Sequence, residues 1–180
     1  MRIISGTKKH YNLSFPSNVK LRPTTDFCKE AIFNIIALYF NIEDMDILDL
    51  YAGTGAVGFE FASRGARKIT SIDNNYACVN FIRSESSKLN FTNMNSSKQD
   101  ALKFLQFTNE KYDLIFADPP YEYKYYSKIH ELVFDRHLLK EKGWLMLEHS
   151  RDHNFTSYPF FMESRKYGET YISILSGKEK

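Results

Sequence analysis

The segment Asp118-Pro119-Pro120-Tyr121, entered from the apolar run Leu114-Ile115-Phe116-Ala117, carries the residue types needed to hold and activate an amine. Each proline fixes its own φ and biases the preceding residue toward extended backbone, so Asp118 is predicted to stand rigid at a strand end. An exocyclic nucleobase amine is a poor nucleophile, because its lone pair is delocalised into the ring. Hydrogen bonds from that amine to the Asp118 carboxylate and the Pro119 carbonyl would hold it pyramidal and free the lone pair toward a sulfonium methyl. Tyr121 offers an aromatic face on which a flipped or unpaired base can stack. The bland alternative is a Pro-Pro turn with a buried Tyr. The order of these four residues, after a predicted strand and downstream of a glycine loop, argues against it.

That glycine loop lies in Ile47-Leu48-Asp49-Leu50-Tyr51-Ala52-Gly53-Thr54-Gly55-Ala56-Val57-Gly58, an apolar strand running into a turn and then a helix. Gly53 and Gly55 permit positive φ and close approach of a ligand, and the helix that follows offers free N–H groups and a positive dipole end. Asp73 ends the next strand, placed to accept from two ribose hydroxyls, with Asn74 beside it. Asp100 follows the third strand and can accept from an adenine amine; it can equally be the N-cap of the helix that Ala101 opens. Alone, the glycine pattern also fits a dinucleotide site. Asp49 tips the balance, because its charge repels a pyrophosphate and suits a cofactor bearing an ammonium group, although a paired structural acid remains the other reading.

These residues need a scaffold, and the chain supplies a regular one. From Met45 onward short apolar strands alternate with amphipathic helices: 47–51, 68–73, 94–97, 112–117 and 144–149 read as strands. Repeated βα units of this kind predict a doubly wound α/β domain with a mostly parallel sheet. Segments 160–167 and 169–175 around Gly168 read as an antiparallel hairpin at the sheet edge. Upstream, residues 1–16 read as a hairpin with a basic tip, followed by a helix over 26–40 with Thr24 or Thr25 as its N-cap. The predicted division is a basic arm over 1–24 and a catalytic domain over 25–180.

Composition sets the outer bounds. A chain of 180 residues with 43% hydrophobic, 26% charged and 16% aromatic residues suits one folded domain. No apolar run approaches the roughly 18 residues of a spanning helix, and no signal-peptide core follows Met1, which points to a cytoplasmic protein. Cys28 and Cys78 are too few for a disulfide framework. The net charge of +2 hides a segment before Asp26 that holds Arg2, Lys8, Lys9, Lys20 and Arg22 and no acid. Arg2, Lys8, Lys9 and Arg22 are therefore candidate RNA contacts, the alternative being a solvated basic face. His149 and His153 have the spacing of two helical metal ligands but leave a strand for a loop, so no metal is assigned. Tyr125 and Tyr126 are read as covering the core side of the following helix.

Asp49-x-x-x-Gly53-x-Gly55 with Asp118-Pro119-Pro120-Tyr121 resembles class I methyltransferases that modify exocyclic amines. Arg22-Pro23-Thr24-x-Asp26, Glu30-Ala31-x-Phe33-Asn34 and Ser63-Arg64-Gly65-Ala66, together with Met1-Arg2-Ile3-Ile4-x-Gly6 and Leu13-x-x-Pro16, extend the resemblance to the RsmD family across nearly the whole chain. The resemblance implies a seven-stranded Rossmann-like sheet, S-adenosylmethionine as methyl donor, and a guanine N2 of 16S ribosomal RNA as target, in the small subunit or an assembly intermediate. It implies that Asp73 holds the ribose and that Asp118 and Tyr121 hold the base, in an enzyme expected to act as a monomer. Tyr51 stands where the family often has Phe, Asp73 and Asn74 where Glu is commoner, and Lys8-Lys9 replaces a Gly-rich turn. Adenine N6 is the alternative target; a nicotinamide-dependent oxidoreductase and an RNA-binding module with a relic pocket are the alternatives outside the class.

Overall fold

A strand that is apolar on both faces belongs in the middle of a sheet covered on both sides, and β1 (Asp46–Leu50) is such a strand, buried from Ile47 onward. The computed structural model describes residues 1–15, 26–120 and 124–177. In it β1 pairs in parallel with β2 (Lys68–Asp73) on one side and with β4 (Tyr112–Ala117) on the other. β3 (Met94–Lys98), β5 (Leu139–His149), β6 (Phe161–Tyr167) and β7 (Thr170–Ser176) complete a seven-stranded sheet of order β3-β2-β1-β4-β5-β7-β6. β7 runs antiparallel to β5 and β6 antiparallel to β7, with Gly168 at φ 63° in the turn between them.

Among the described residues, five α-helices cover the two faces. α1 (Asp26–Tyr39), α2 (Ala56–Ser63) and α3 (Tyr76–Leu89) pack with Ile47, Ile69, Leu114, Met146 and Ile172 into one cluster. α4 (Ala101–Phe107) and α5 (Tyr126–Asp135) pack with Leu48, Ile72, Ile115 and Leu145 into the other. Alternation along β1 explains the split, since successive side chains point to opposite faces. Every residue of α2 is buried, and its Phe59 and Phe61 each contribute about 2 to 3 kcal/mol of burial.

The first fifteen residues are part of this core rather than a loose arm. Ile3 and Leu13 are buried in the α1–α3 cluster. Backbone bonds from Ile3 to Tyr11 and from Leu13 to Met1 close a hairpin-like loop with a single bridge, Arg2 to Asn12. The expected division after residue 24, both expected N-cap threonines and Arg22 lie outside the described residues. Cys28 and Cys78 are buried free thiols, and burial pushes Cys78 up to about 11. Among the described residues, no helix is long and apolar enough to cross a membrane.

Candidate active site

The glycine turn is built by backbone conformation. Tyr51, Gly53 and Gly55 all have left-handed φ, at 58°, 52° and 73°, so the chain leaves β1 and reverses into α2 within six residues. Glycine adopts that region at no steric cost, whereas Tyr51 stores strain of about 1 to 3 kcal/mol. A side chain at Gly55 would come within 2.9 Å of Ile82 and 3.1 Å of Phe59. The N-cap of α2, Gly55, has no side chain to cap the helix, and of the first-turn N–H groups the one on Gly58 is taken by the Asp49 carboxyl, beside the positive dipole end of the helix.

Three strand ends are tied together behind this turn. Ala52 donates to the Ile72 carbonyl at 3.1 Å, joining β1 to β2, and Asp118 donates through its backbone N–H to the Leu50 carbonyl at 3.4 Å, joining β4 to β1. The Asp73 carboxylate takes the Gly53 N–H on Oδ2 and the Asn75 N–H on Oδ1, both at 2.7 Å. Asp73 thus shapes the loop as well as bordering the crevice. Each carboxylate oxygen keeps a second lone pair for a ligand hydroxyl. Asn74 is exposed beside it, and the Asn75 side chain caps α3 by accepting from Ala77.

Asp49 is the most perturbed group of the crevice. It is 2% exposed, and its Oδ2 accepts the Gly58 N–H at 3.2 Å. Burial pushes its pKa up to about 8, against the pull of the Gly58 N–H; the carboxylates of Asp118 and Asp73 push in the same direction as burial. A cation brought here would be stabilised by this surplus of carboxylate. Asp118 is half-buried and Pro119 buried, at the end of β4.

Other expected residues separate from this group. Asp100 is exposed and is the N-cap of α4, accepting from the Lys103 N–H at 2.9 Å, with Ala101 buried behind it; the capping role is realised. Tyr126 is buried, its hydroxyl donating to the Glu148 carbonyl at 3.0 Å, but Tyr125 is 59% exposed. The expectation that both face the core is corrected, because Tyr125 sits at the N-cap position, one residue before the helical face begins. Tyr121, the expected stacking residue, lies outside the described residues. Both ring nitrogens of His149 are engaged: one lies 2.8 Å from the Ser150 carbonyl and the other 2.8 Å from the Ser173 hydroxyl. No metal-binding cluster occurs among the described residues.

The basic candidates divide as well. Arg2 pairs with Asp26 at 2.7 Å, while Lys8 is half-buried and Lys9 exposed at the loop tip. Two residues the sequence reading missed, Lys29 and Glu60, sit beneath this loop at 1% and 0% exposure. The signal was available in both cases: Glu60 is a lone charge between Phe59 and Phe61, and Lys29 follows Cys28 on the apolar face of α1.

A seven-stranded sheet with this strand order, an antiparallel edge and a glycine turn at the end of its first strand is the Rossmann-like fold of class I methyltransferases. The Escherichia coli protein yhhF superposes with a TM-score of 0.86 at 26% identity, covering 98% of this chain and 97% of that one. The chain belongs to the RsmD family, described as Conserved hypothetical protein 95, whose profile matches residues 1–176. Ribosomal RNA small subunit methyltransferase D of Escherichia coli (strain K12) is 32% identical over 145 residues, 81% of this chain and 69% of its own length. A more distant structure, SMU.776 complexed with SAH, shares the fold at a TM-score of 0.60 and 14% identity, covering 75% of this chain and 47% of that one.

Proposed function

We propose that this chain transfers a methyl group from S-adenosylmethionine to the exocyclic N2 amine of a guanine in 16S ribosomal RNA, acting as a cytoplasmic monomer on the small subunit or an assembly intermediate. The observation that carries the reading is the junction at the carboxyl ends of β1, β2 and β4. There a buried acid with a pKa near 8, a left-handed glycine turn and the Asp118-Pro119 turn meet.

The residues present fit the cofactor. Asp49 is a buried carboxyl whose electrostatic neighbours among the described residues are two further carboxylates and one N–H, so an ammonium group completes it. The first N–H groups of α2, ahead of the Gly58 N–H that Asp49 takes, suit the cofactor's carboxylate, and Asp73 with Asn74 borders the ribose position. Asp100 and Ala101 border the adenine position at the end of β3. When bound, S-adenosylmethionine supplies an electrophilic methyl on a sulfonium. A pyrophosphate, with its two negative charges, would meet the Asp73 and Asp118 carboxylates and would hold Asp49 in its neutral form, whereas an ammonium group favours its ionised form, which argues against a nicotinamide cofactor.

The chain's own residues then act on the guanine. Asp118 accepts an N–H of the amine and the Pro119 carbonyl accepts the other, which orients the lone pair out of the ring plane. Backbone anchoring of Asp118 to Leu50 fixes that geometry before the base arrives, so little reorganisation is needed in the transition state. As the N–C bond forms, the amine becomes more acidic and its surplus proton passes to the Asp118 carboxylate. Tyr121 stacks on the extruded base. The relative from Escherichia coli, named for the small ribosomal subunit, supports ribosomal RNA as substrate. Incubation with labelled cofactor and small subunits, followed by nucleoside mass spectrometry, tests the assignment: N2-methylguanosine is expected, and label in N6-methyladenosine, or none in RNA, overturns it.

A further inference from the structure

The loop formed by residues 1–13 is fastened to the body through its backbone, by two buried side chains of opposite charge. The Glu60 carboxylate accepts the Ile4 N–H at 2.7 Å and the Ser5 N–H at 3.0 Å, and its third bond is from Arg64 at 2.8 Å. Arg64 is itself fixed, its guanidinium 4.5 Å from the centre of the Phe33 ring. On the other strand side, Lys29 donates to the Arg2 carbonyl at 2.5 Å and lies 3.6 Å from Asp26. Ser63, at the end of α2, closes the tip: its hydroxyl donates to the Ser5 carbonyl at 2.6 Å and accepts from the Lys8 N–H at 3.0 Å, and its carbonyl accepts from the Thr7 N–H at 2.7 Å. The approach is so close that a side chain on Gly6 would fall 1.9 Å from the Ser63 carbonyl oxygen.

A buried carboxylate is costly unless hydrogen-bonded, and here the bonds go to main-chain donors of a segment that makes only one bridge of its own. The contacts also run in order along α2: Met1 meets Thr54 beside the glycine turn, Ile4 and Ser5 meet Glu60, and Thr7 and Lys8 meet Ser63. The loop therefore lies along the helix with its basic tip at the far end, about 10 Å from the cofactor end at 1.5 Å per residue.

We infer that Glu60 and Lys29 are positioning residues for RNA: they hold Lys8 and Lys9 at a fixed offset from the crevice, so that a phosphate backbone engages the tip while the target base engages Asp118. The inference rests on the RNA-methyltransferase reading. The clamp takes the loop's main chain rather than the Lys8 and Lys9 side chains, and it ties the offset between phosphate contact and crevice to α2.

Three variants test it by steady-state kinetics on small subunits, with cofactor affinity measured separately by calorimetry. Glu60→Gln turns an N–H toward donors that the carboxylate accepts from, and Gly6→Ala blocks seating from the loop's own side, by a clash with the Ser63 backbone, while every residue of the body is kept. Each is expected to raise the KM for RNA by roughly tenfold, through lost preorganisation, with kcat and cofactor Kd within about twofold. Both should also make the salt dependence of RNA binding shallower, because tip phosphate contacts are lost; a merely destabilised fold would leave that slope unchanged. Lys8→Glu with Lys9→Glu is the control. If the double reversal weakens RNA binding while Glu60→Gln and Gly6→Ala leave KM and slope unchanged, the clamp is refuted and the RNA reading stands. If the double reversal itself has no effect on RNA binding, the tip is not an RNA contact and the inference falls, while nucleoside analysis still decides the reaction independently.

Discussion

Asp46 and Asp49 stand three residues apart on β1 and are treated in opposite ways. Asp46, at the amino end, is bonded by Arg67 and by Lys140, which also bonds Asp113 at 2.6 Å. Burial opposes ionisation there, but the two basic partners outweigh it and hold the Asp46 pKa below the ordinary carboxylate value. At the carboxyl end Asp49 has a single N–H and two neighbouring carboxylates, and burial drives its pKa up to about 8. At one end of the strand basic side chains neutralise the acid; at the other, the charges that reach Asp49 from Asp118 and Asp73 are of its own sign. A buried acid pushed toward its neutral form by like charges, beside a glycine turn, marks a functional site more than a structural one.

The comparison can be broken at either end, and the largest effect is expected at Asp118. Asp118→Ala should lower turnover at least a hundredfold, about 3 kcal/mol in the barrier, with cofactor affinity nearly unchanged, because the lost interaction is made mainly in the transition state. Single-turnover kinetics beside calorimetry would show it; a parallel loss of cofactor binding would place Asp118 in the cofactor site instead. Asp73→Ala comes next. It removes the ribose acceptor and also releases the Gly53 and Asn75 N–H groups, so the cofactor Kd should rise by at least about tenfold.

Asp49→Asn sharpens the contrast through pH. An acid whose folded pKa is raised binds a proton in the native state that the unfolded chain gives up. The ligand-free protein should therefore lose stability as pH climbs from about 4, the unfolded value, to about 8. In Asp49→Asn that decline should flatten, and the thermal midpoint at pH 8.5 should rise relative to the parent by a few degrees, roughly 1 kcal/mol. Calorimetric scans across pH decide it, and parallel profiles for the two proteins would show that Asp49 is not protonated near neutrality. The smallest change is expected at the other end: Asp46→Asn gives up half-exposed ion pairs worth about 1 kcal/mol or less, with turnover unchanged. A large loss of activity there would erase the distinction between the two ends.

How much of this is legible in the sequence follows the range of the interactions. β2, β4 and α4 have the predicted limits, because each carries its own period and its own boundary residues. β5 was read as starting at Trp144 and starts at Leu139; a register shift between Tyr112 and Leu114 bulges the intervening Lys140-Glu141-Lys142-Gly143, and a bulge breaks the alternation that betrays a strand. The glycine turn could be seen, but the left-handed Tyr51 within it could not, since a tyrosine gives no hint of that conformation. Residues 1–16 read as a hairpin with a basic tip, but what fastens its first part to the body is not legible, because the partners Lys29, Glu60 and Ser63 are distant in sequence. Asp100 reads from sequence as a cofactor contact or a helix cap, and its geometry shows the cap bond.

The strand order also decides how this protein behaves toward copies of itself. A seven-stranded open sheet ends in two strands, β3 and β6, each with one row of main-chain groups that a neighbouring molecule's strand can extend. β3 is Met94-Asn95-Ser96-Ser97-Lys98, nearly without apolar character, and the Arg83 guanidinium covers its Ser96 carbonyl at 2.9 Å. β6 carries Glu163, Arg165 and Lys166, with Arg165 bonded to Glu163 at 2.9 Å. Charge and polarity at both margins make edge-to-edge addition costly in desolvation. The strands rich in Ile, Leu and Phe, which would polymerise readily, are confined to the interior of the sheet, where both of their edges are already taken.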